Sequence, residues 1–281
     1  MVEQRRVERV LNFDINGLQQ RAYVGVRRAA AFLGMSERFI EQEFPRSLTL
    51  GQNIKRQFLP DPFPEEAVPE LRENWRTWIT GNALRELDQF LSLFLDDAFD
   101  VVQQAKLVSG ENPPHHEWQR IDRITNVADK HRRVLEGANR FNGPHSDDQT
   151  CLISLSHARN CLSHDLGIVT PKRVTDGVLA VQWLALRTII EQGDKTFILE
   201  EQDLPFSLDP DGPEGRVLMR VEIAERRFAL GDHIRFTPDD LLGFCLFYQI
   251  VIDRVAQALA DYSQECGVVF NQAAPQAAET T

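Results

Sequence analysis

Ala158-Arg159-Asn160-Cys161-Leu162-Ser163-His164-Asp165-Leu166-Gly167 closes a segment with helical periodicity and sets an arginine, an amide and a histidine near a helix end. Upstream, Gly143-Pro144 interrupts the preceding pattern, and Ser146-Asp147-Asp148-Gln149 predicts a capping box with acids in the first turn. Gly167 supplies the stop. Between these signals Cys151, Leu155, Ala158 and Leu162 recur on one helical face, with Leu166 a turn further on, and this stripe is expected to face the core. Ile153, His157, Asn160 and His164 form a second stripe on the opposite side.

Arg159 lies between the stripes, roughly 140° around the helix from His164, so only its long side chain could bring the two groups together. A guanidinium suits a phosphate, an imidazole suits proton transfer near neutral pH, and an amide suits orientation. Cleavage of RNA by its own 2′-hydroxyl requires deprotonation of the nucleophile, protonation of the leaving 5′-oxygen and stabilisation of the extra negative charge. Arg159 and His164 cover two of those needs. The bare spacing also arises by chance. Arg140-Phe-Asn-Gly-Pro-His145 repeats it, but there Gly143 and Pro144 argue against a helix.

The segment Arg159-Asn160-Cys161-Leu162-Ser163-His164 resembles the R-[polar]-x-x-x-H motif of HEPN domains, many of which are metal-independent ribonucleases. Trp78-Ile79-Thr80-Gly81-Asn82-Ala83-Leu84-Arg85-Glu86-Leu87 is similar to the opening helix of abortive-infection-like HEPN proteins. Leu230-Gly231-Asp232-His233-Ile234-Arg235-Phe236-Thr237, followed by a long apolar helix, resembles a later part of them; the likeness spans about residues 75 to 265. It implies an HEPN-like helical bundle acting as a homodimer, with Arg159, Asn160 and His164 as nuclease residues and no cofactor. It also implies a setting in stress or antiviral defence, as a toxin or effector with an antitoxin or regulatory partner. A non-catalytic HEPN-fold interaction or dimerisation module is the alternative, because fold alone does not establish activity.

The chain has 281 residues, of which 42% are hydrophobic, enough for a substantial core in one large domain or two small ones. Its formal net charge of −11 repels nucleic acid at long range, so any RNA contact must be local. No stretch reads as a membrane span and the start lacks a secretory apolar region, so a soluble cytoplasmic protein is expected, without membrane contact. Cys151, Cys161, Cys245 and Cys266 lack paired spacing, and the first three fall within apolar helical patterns, so no zinc site is expected. Local basic groups are Arg5, Arg6 and Arg9; Arg27 and Arg28; and Lys130, Arg132 and Arg133.

Along the chain, Val24 to Phe44 reads as a helix and prolines 60, 62, 64 and 69 as a linker, which divides a 1–70 N-terminal extension from a 71–268 helical domain. Leu71 to about Val108 predicts one or two helices through Leu84, Leu87, Phe90, Leu91, Phe94 and Leu95. Trp118, Ile121, Ile124, Val127, Val134 and Leu135 predict a second long helix, and Asp176 to about Ile190 another. Segments 195–199, 217–223 and 227–236 read as a small β insertion with turns at 209–215 and 231–232. Thr237 is placed to cap, with Pro238 at the first position of, an apolar helix through Leu259; residues 269–281 read as a disordered tail. The fold class is therefore mainly α, with a small β insertion before the last long helix.

Three weaker candidates accompany the motif. His115-His116-Glu117 reads as a surface helix start more readily than as a metal site, since adjacent side chains diverge. His157 suits a substrate or dimer contact as well as a structural hydrogen bond, and Asp165, pointing about 100° from His164, makes a poor dyad partner. No phosphate loop, dinucleotide fingerprint or HExxH helix is present in the sequence.

Overall fold

The computed structural model describes residues 14–42, 49–50, 56–57, 63–111, 121–199 and 214–269. The expected sites at Arg5, Arg6, Arg9 and 115–117, and the tail from 270 onward, lie outside the described residues. Helix α1 (Ile15–Glu41) starts at Asp14, whose side chain accepts a hydrogen bond from the Gly17 amide at 2.7 Å, nine residues before the expected start at Val24. Ala22, Ala29 and Leu33 bury one stripe of it in the same core as the residues beyond 70, so α1 is integral to the main fold. A short antiparallel ladder, β1 (Thr49–Leu50) with β2 (Arg56–Gln57), follows.

Helix α2 (Val68–Val108) is one continuous element of 41 residues, about 60 Å long at 1.5 Å per residue. Leu84, Leu87, Leu91, Phe94 and Leu95 form its buried face as the periodicity predicts. Trp118 lies outside the described residues; from 121 onward the second long helix expected there is a 3₁₀ turn at Ile121–Arg123 and a short α3 (Val127–Gly137), because the Asn126 side chain accepts from the Ala128 amide and fixes a new start.

Helix α4 (Pro144–His164) carries the motif. The capping box at Ser146 is not formed, because Pro144 initiates the helix with its preset φ after Gly143 turns the chain at φ +47°, which places Ser146 inside the first turn. Cys151, Leu155, Ala158 and Leu162 are buried as expected. Leu166 is not: the helix ends at His164, Leu166 sits at φ +54°, and its side chain is 82% exposed. Gly167, at φ +79°, donates its amide to the Cys161 carbonyl and ends the helix as predicted.

The segment expected to be a helix from Asp176 is strand β3 (Val178–Gln192). Leu179, Val181 and Trp183 alternate into the core, and the β-branched Thr188, Ile189 and Ile190 suit an extended chain. Its antiparallel partner β5 (Gly215–Ala229) pairs along the full length, from Val178 with Ala229 to Gln192 with Gly215; β4 (Lys195–Leu199) pairs on the other side, giving the order β4-β3-β5. The two strands expected at 217–223 and 227–236 are thus one, ending before a turn at Leu230-Gly231.

Helix α5 (Pro238–Glu265) begins with the predicted cap: the Thr237 hydroxyl accepts from the Asp240 amide, and the Asp240 carboxylate accepts from the Thr237 amide in return. Contrary to expectation, α5 alone among the described helices has the length and apolarity of a membrane span. Here it is the core helix: Phe244, Phe247, Tyr248, Val251 and Val255 are buried, and it packs on α1, α2 and β3. Trp183 and Phe236 meet Phe244 edge-on at 4.9 and 4.8 Å between ring centres and seat the sheet on α5.

Candidate functional site

The segment that follows α4 is tied to the loop after β5 by backbone bonds, from the Val169 amide to the Asp232 carbonyl, from Gly231 to Val169, and from Ile234 to Gly167. Two separated segments therefore fix where the motif helix ends. Arg159 leaves α4 toward α2. Its Nη1 donates to Asp88 Oδ2 at 2.5 Å and its Nη2 to Asn160 Oδ1 at 3.0 Å. The other Asp88 oxygen accepts from the Tyr248 hydroxyl, also at 2.5 Å. One carboxylate thus joins α2, α4 and α5.

The Asp88 side chain is only 6% exposed, and burial pushes its pKa above the usual carboxylate range against the opposing pull of Arg159 and Tyr248. Tyr248 is fully enclosed, and burial together with the adjacent carboxylate pushes its phenol well above the ordinary value. The Arg159 side chain is 28% exposed.

His164 is exposed, and it makes no hydrogen bond or ion pair with the described residues. No hydrogen bond joins it to Arg159, consistent with their angular separation on the helix. Asp165 accepts from the Thr170 hydroxyl at 3.3 Å, so it is engaged away from His164. The outward stripe is otherwise as read: Ile153 is 38% exposed, and His157 and Asn160 are half-buried. Burial and the nearby Arg173 lower the His157 pKa. Arg173 thus adds a second cation beside the polar face of α4, one that the sequence reading did not single out.

The other basic groups serve within the fold. Arg28 pairs with Glu86 at 2.7 Å, Lys130 with Asp96 at 2.5 Å and Arg132 with Glu136 at 2.6 Å. Three hollows on the surface are lined elsewhere: by β3, β5 and the start of α5 around Trp183 and Arg226; by Glu73, Arg76 and Arg235; and by Leu18, Phe90 and Phe94. None includes Arg159, Asn160 or His164.

Among the described residues one group is arranged as metal ligands: His131 of α3 with His145 and Asp148 of α4. His131 is 0% exposed, and burial pushes its pKa down to about 4, keeping the imidazole neutral. Sequence inspection missed both it and the Asp88–Tyr248 anchor. Asp88 carried a legible signal, a carboxylate on the apolar stripe between Leu84 and Leu91. Comparison of the chain with protein-family models, with curated proteins and with solved structures found no match.

Proposed function

We propose that this protein is a metal-independent endoribonuclease of HEPN type, acting as a homodimer on RNA. The observation that carries the reading is the division of labour at the end of α4: Arg159 and Asn160 form a hydrogen-bonded pair anchored from behind by Asp88, and His164 stands exposed and unpaired with any described residue. A guanidinium has five N–H donors. Two are engaged, and the remaining edge is available to the oxygens of a scissile phosphate. Arg159 stabilises charge on phosphorus, Asn160 orients it, and His164 transfers protons.

In the reaction the 2′-oxygen forms a bond to phosphorus as the bond to the 5′-oxygen breaks, leaving a 2′,3′-cyclic phosphate and a 5′-hydroxyl. One imidazole cannot take the 2′ proton and give one to the leaving oxygen at the same moment. A second copy presenting its own His164 across a two-fold axis supplies the missing group. With a net charge of −11, recognition is confined to this local face. The proposed setting is a defence toxin or effector restrained by an antitoxin or regulatory protein.

A specific observation favours the second reading, a non-catalytic interaction or dimerisation module: the same Arg159–Asp88–Tyr248 chain would serve as a purely structural pin among three helices. Cleavage of mixed RNA in chelator, with circular dichroism in the same buffer to verify folding, separates the two. Loss of cleavage in His164→Ala and in Arg159→Lys, which keeps a cation against Asp88 but not the fork, supports the nuclease. His164→Ala should change stability by no more than about 0.5 kcal/mol, since the side chain is exposed. Unchanged cleavage in both variants refutes the nuclease reading, and no cleavage by wild type with dimerisation lost in the variants favours the module.

A further inference from the structure

Away from the motif, at the opposite end of α4, four polar atoms are buried without hydrogen-bond partners: Nδ1 and Nε2 of His131, Nδ1 of His145 and Oδ2 of Asp148. Buried polar atoms are as a rule paired, because leaving one bare forfeits its hydration. Four in one place, on three residues, point to a group that would engage one atom of each residue. His145 and Asp148 stand three residues apart in the first turns of α4 and share a face. His131 reaches them from α3, its ring 6.1 Å from that of His145, and is itself fully enclosed.

One ligand atom from each of the three residues lies within 4.8 Å of the others, and His145 Nδ1 is 3.7 Å from Asp148 Oδ2. Donors around a tetrahedral zinc, each at about 2.0–2.1 Å from the metal, are roughly 3.3 Å apart. Side-chain shifts of about an ångström or less close the set. We propose that His131, His145 and Asp148 bind one divalent transition-metal ion, with zinc as the best fit, which fastens α3 to the start of the motif helix.

The donor set and its surroundings select the metal. Two imidazoles and a single carboxylate suit zinc and its neighbours, whereas magnesium and calcium take oxygen cages. Arg254 donates to Asp148 Oδ1 at 2.5 Å and leaves Oδ2 to the ion. It orients the carboxylate as an outer-shell partner, and its positive charge further disfavours a hard dication held by electrostatics alone. Three protein donors would leave the fourth tetrahedral position to a water. The ion lies at the far end of α4 from His164 and takes no part in the proposed cleavage, so the site stands or falls independently of that reading.

The test uses the full chain carrying no histidine tag. Metal analysis of the purified protein, then calorimetric titration with zinc chloride after stripping by chelator, should show about one ion per chain and a rise in melting temperature on loading. Cobalt in place of zinc should give the visible absorption of a tetrahedral site. His145→Ala, whose side chain is 15% exposed, and His131→Gln should each weaken binding by more than the about 10–100-fold that outer-shell partners cost. A double His115→Ala, His116→Ala variant should bind as wild type does. Absence of saturable one-to-one binding by folded wild type overturns the proposal whatever the variants do. So does binding that survives both His145→Ala and His131→Gln, or that disappears with His115 and His116.

Discussion

Replacing Asp88 with asparagine tests the anchor on which the orientation of Arg159 depends. The carboxylate accepts two bonds of 2.5 Å, one from Arg159 Nη1 and one from the Tyr248 hydroxyl. Each hydrogen bond to a charged group contributes about 1.5–3 kcal/mol, and a neutral one about 0.5–1.5 kcal/mol. Asparagine keeps one acceptor oxygen, so a neutral bond survives and the charge-assisted pair is lost. The worked cost is about 2–4 kcal/mol, held below the roughly 3–5 kcal/mol of a fully buried broken pair because Arg159, 28% exposed, can turn to water. Urea unfolding followed by tryptophan fluorescence measures it, with an unchanged slope confirming that only stability moved. A double-mutant cycle with Tyr248→Phe should give a coupling of about 0.5–3 kcal/mol, since both changes act on one network. A loss under about 0.5 kcal/mol for Asp88→Asn, or additive effects in the cycle, would mean that the triad does not hold the guanidinium and that its position in solution is set otherwise.

The remaining predictions concern the tyrosines and the seat of the sheet. All three tyrosines are raised mainly by burial: Tyr23, which also donates to Asp253, to about 12; Tyr248 well above 10; and Tyr262 above it as well. The folded state holds these protons more tightly than an unfolded chain titrating near pH 10, so the stabilisation is complete below about pH 10 and is lost as pH rises toward 12. Near-ultraviolet titration should show no phenolate until unfolding begins, and a tyrosine ionising near pH 10 in protein with native circular dichroism would contradict this. Gly243→Ala would put a Cβ 2.5 Å from Trp183 Nε1 and 3.0 Å from its Cδ1. The indole is wedged against Phe244 and cannot retreat, so overpacking of about 1–3 kcal/mol should outweigh the helix-propensity gain of up to about 1 kcal/mol. A raised urea midpoint in that variant would show that the ring yields.

Much of the architecture is written locally. The stripe Cys151, Leu155, Ala158, Leu162, the buried face of α2 and the Thr237–Asp240 cap all rest on residues three or four apart, a separation that the backbone itself brings together. Where reading by period went astray, a neighbour decided. Val178, Val181 and Leu184 fit a helical spacing as well as an extended one, and β5 selects the latter by pairing along the whole of β3. Likewise Pro144 and Asn126 set helix starts that the apolar pattern alone does not locate.

By itself, then, the sequence determined a mainly helical chain, the helix that bears Arg159, Asn160 and His164, and the outward aspect of the last two. Tertiary structure alone decided that Arg159 pairs with Asp88, 71 residues before it, and that Tyr248, 160 residues from Asp88, shares that carboxylate, and it alone gathered His131 with His145 and Asp148. The physical reason is range. Periodicity and capping act within a turn of chain, whereas the partner of a buried polar group is whichever residue the packing of distant helices brings into hydrogen-bonding reach.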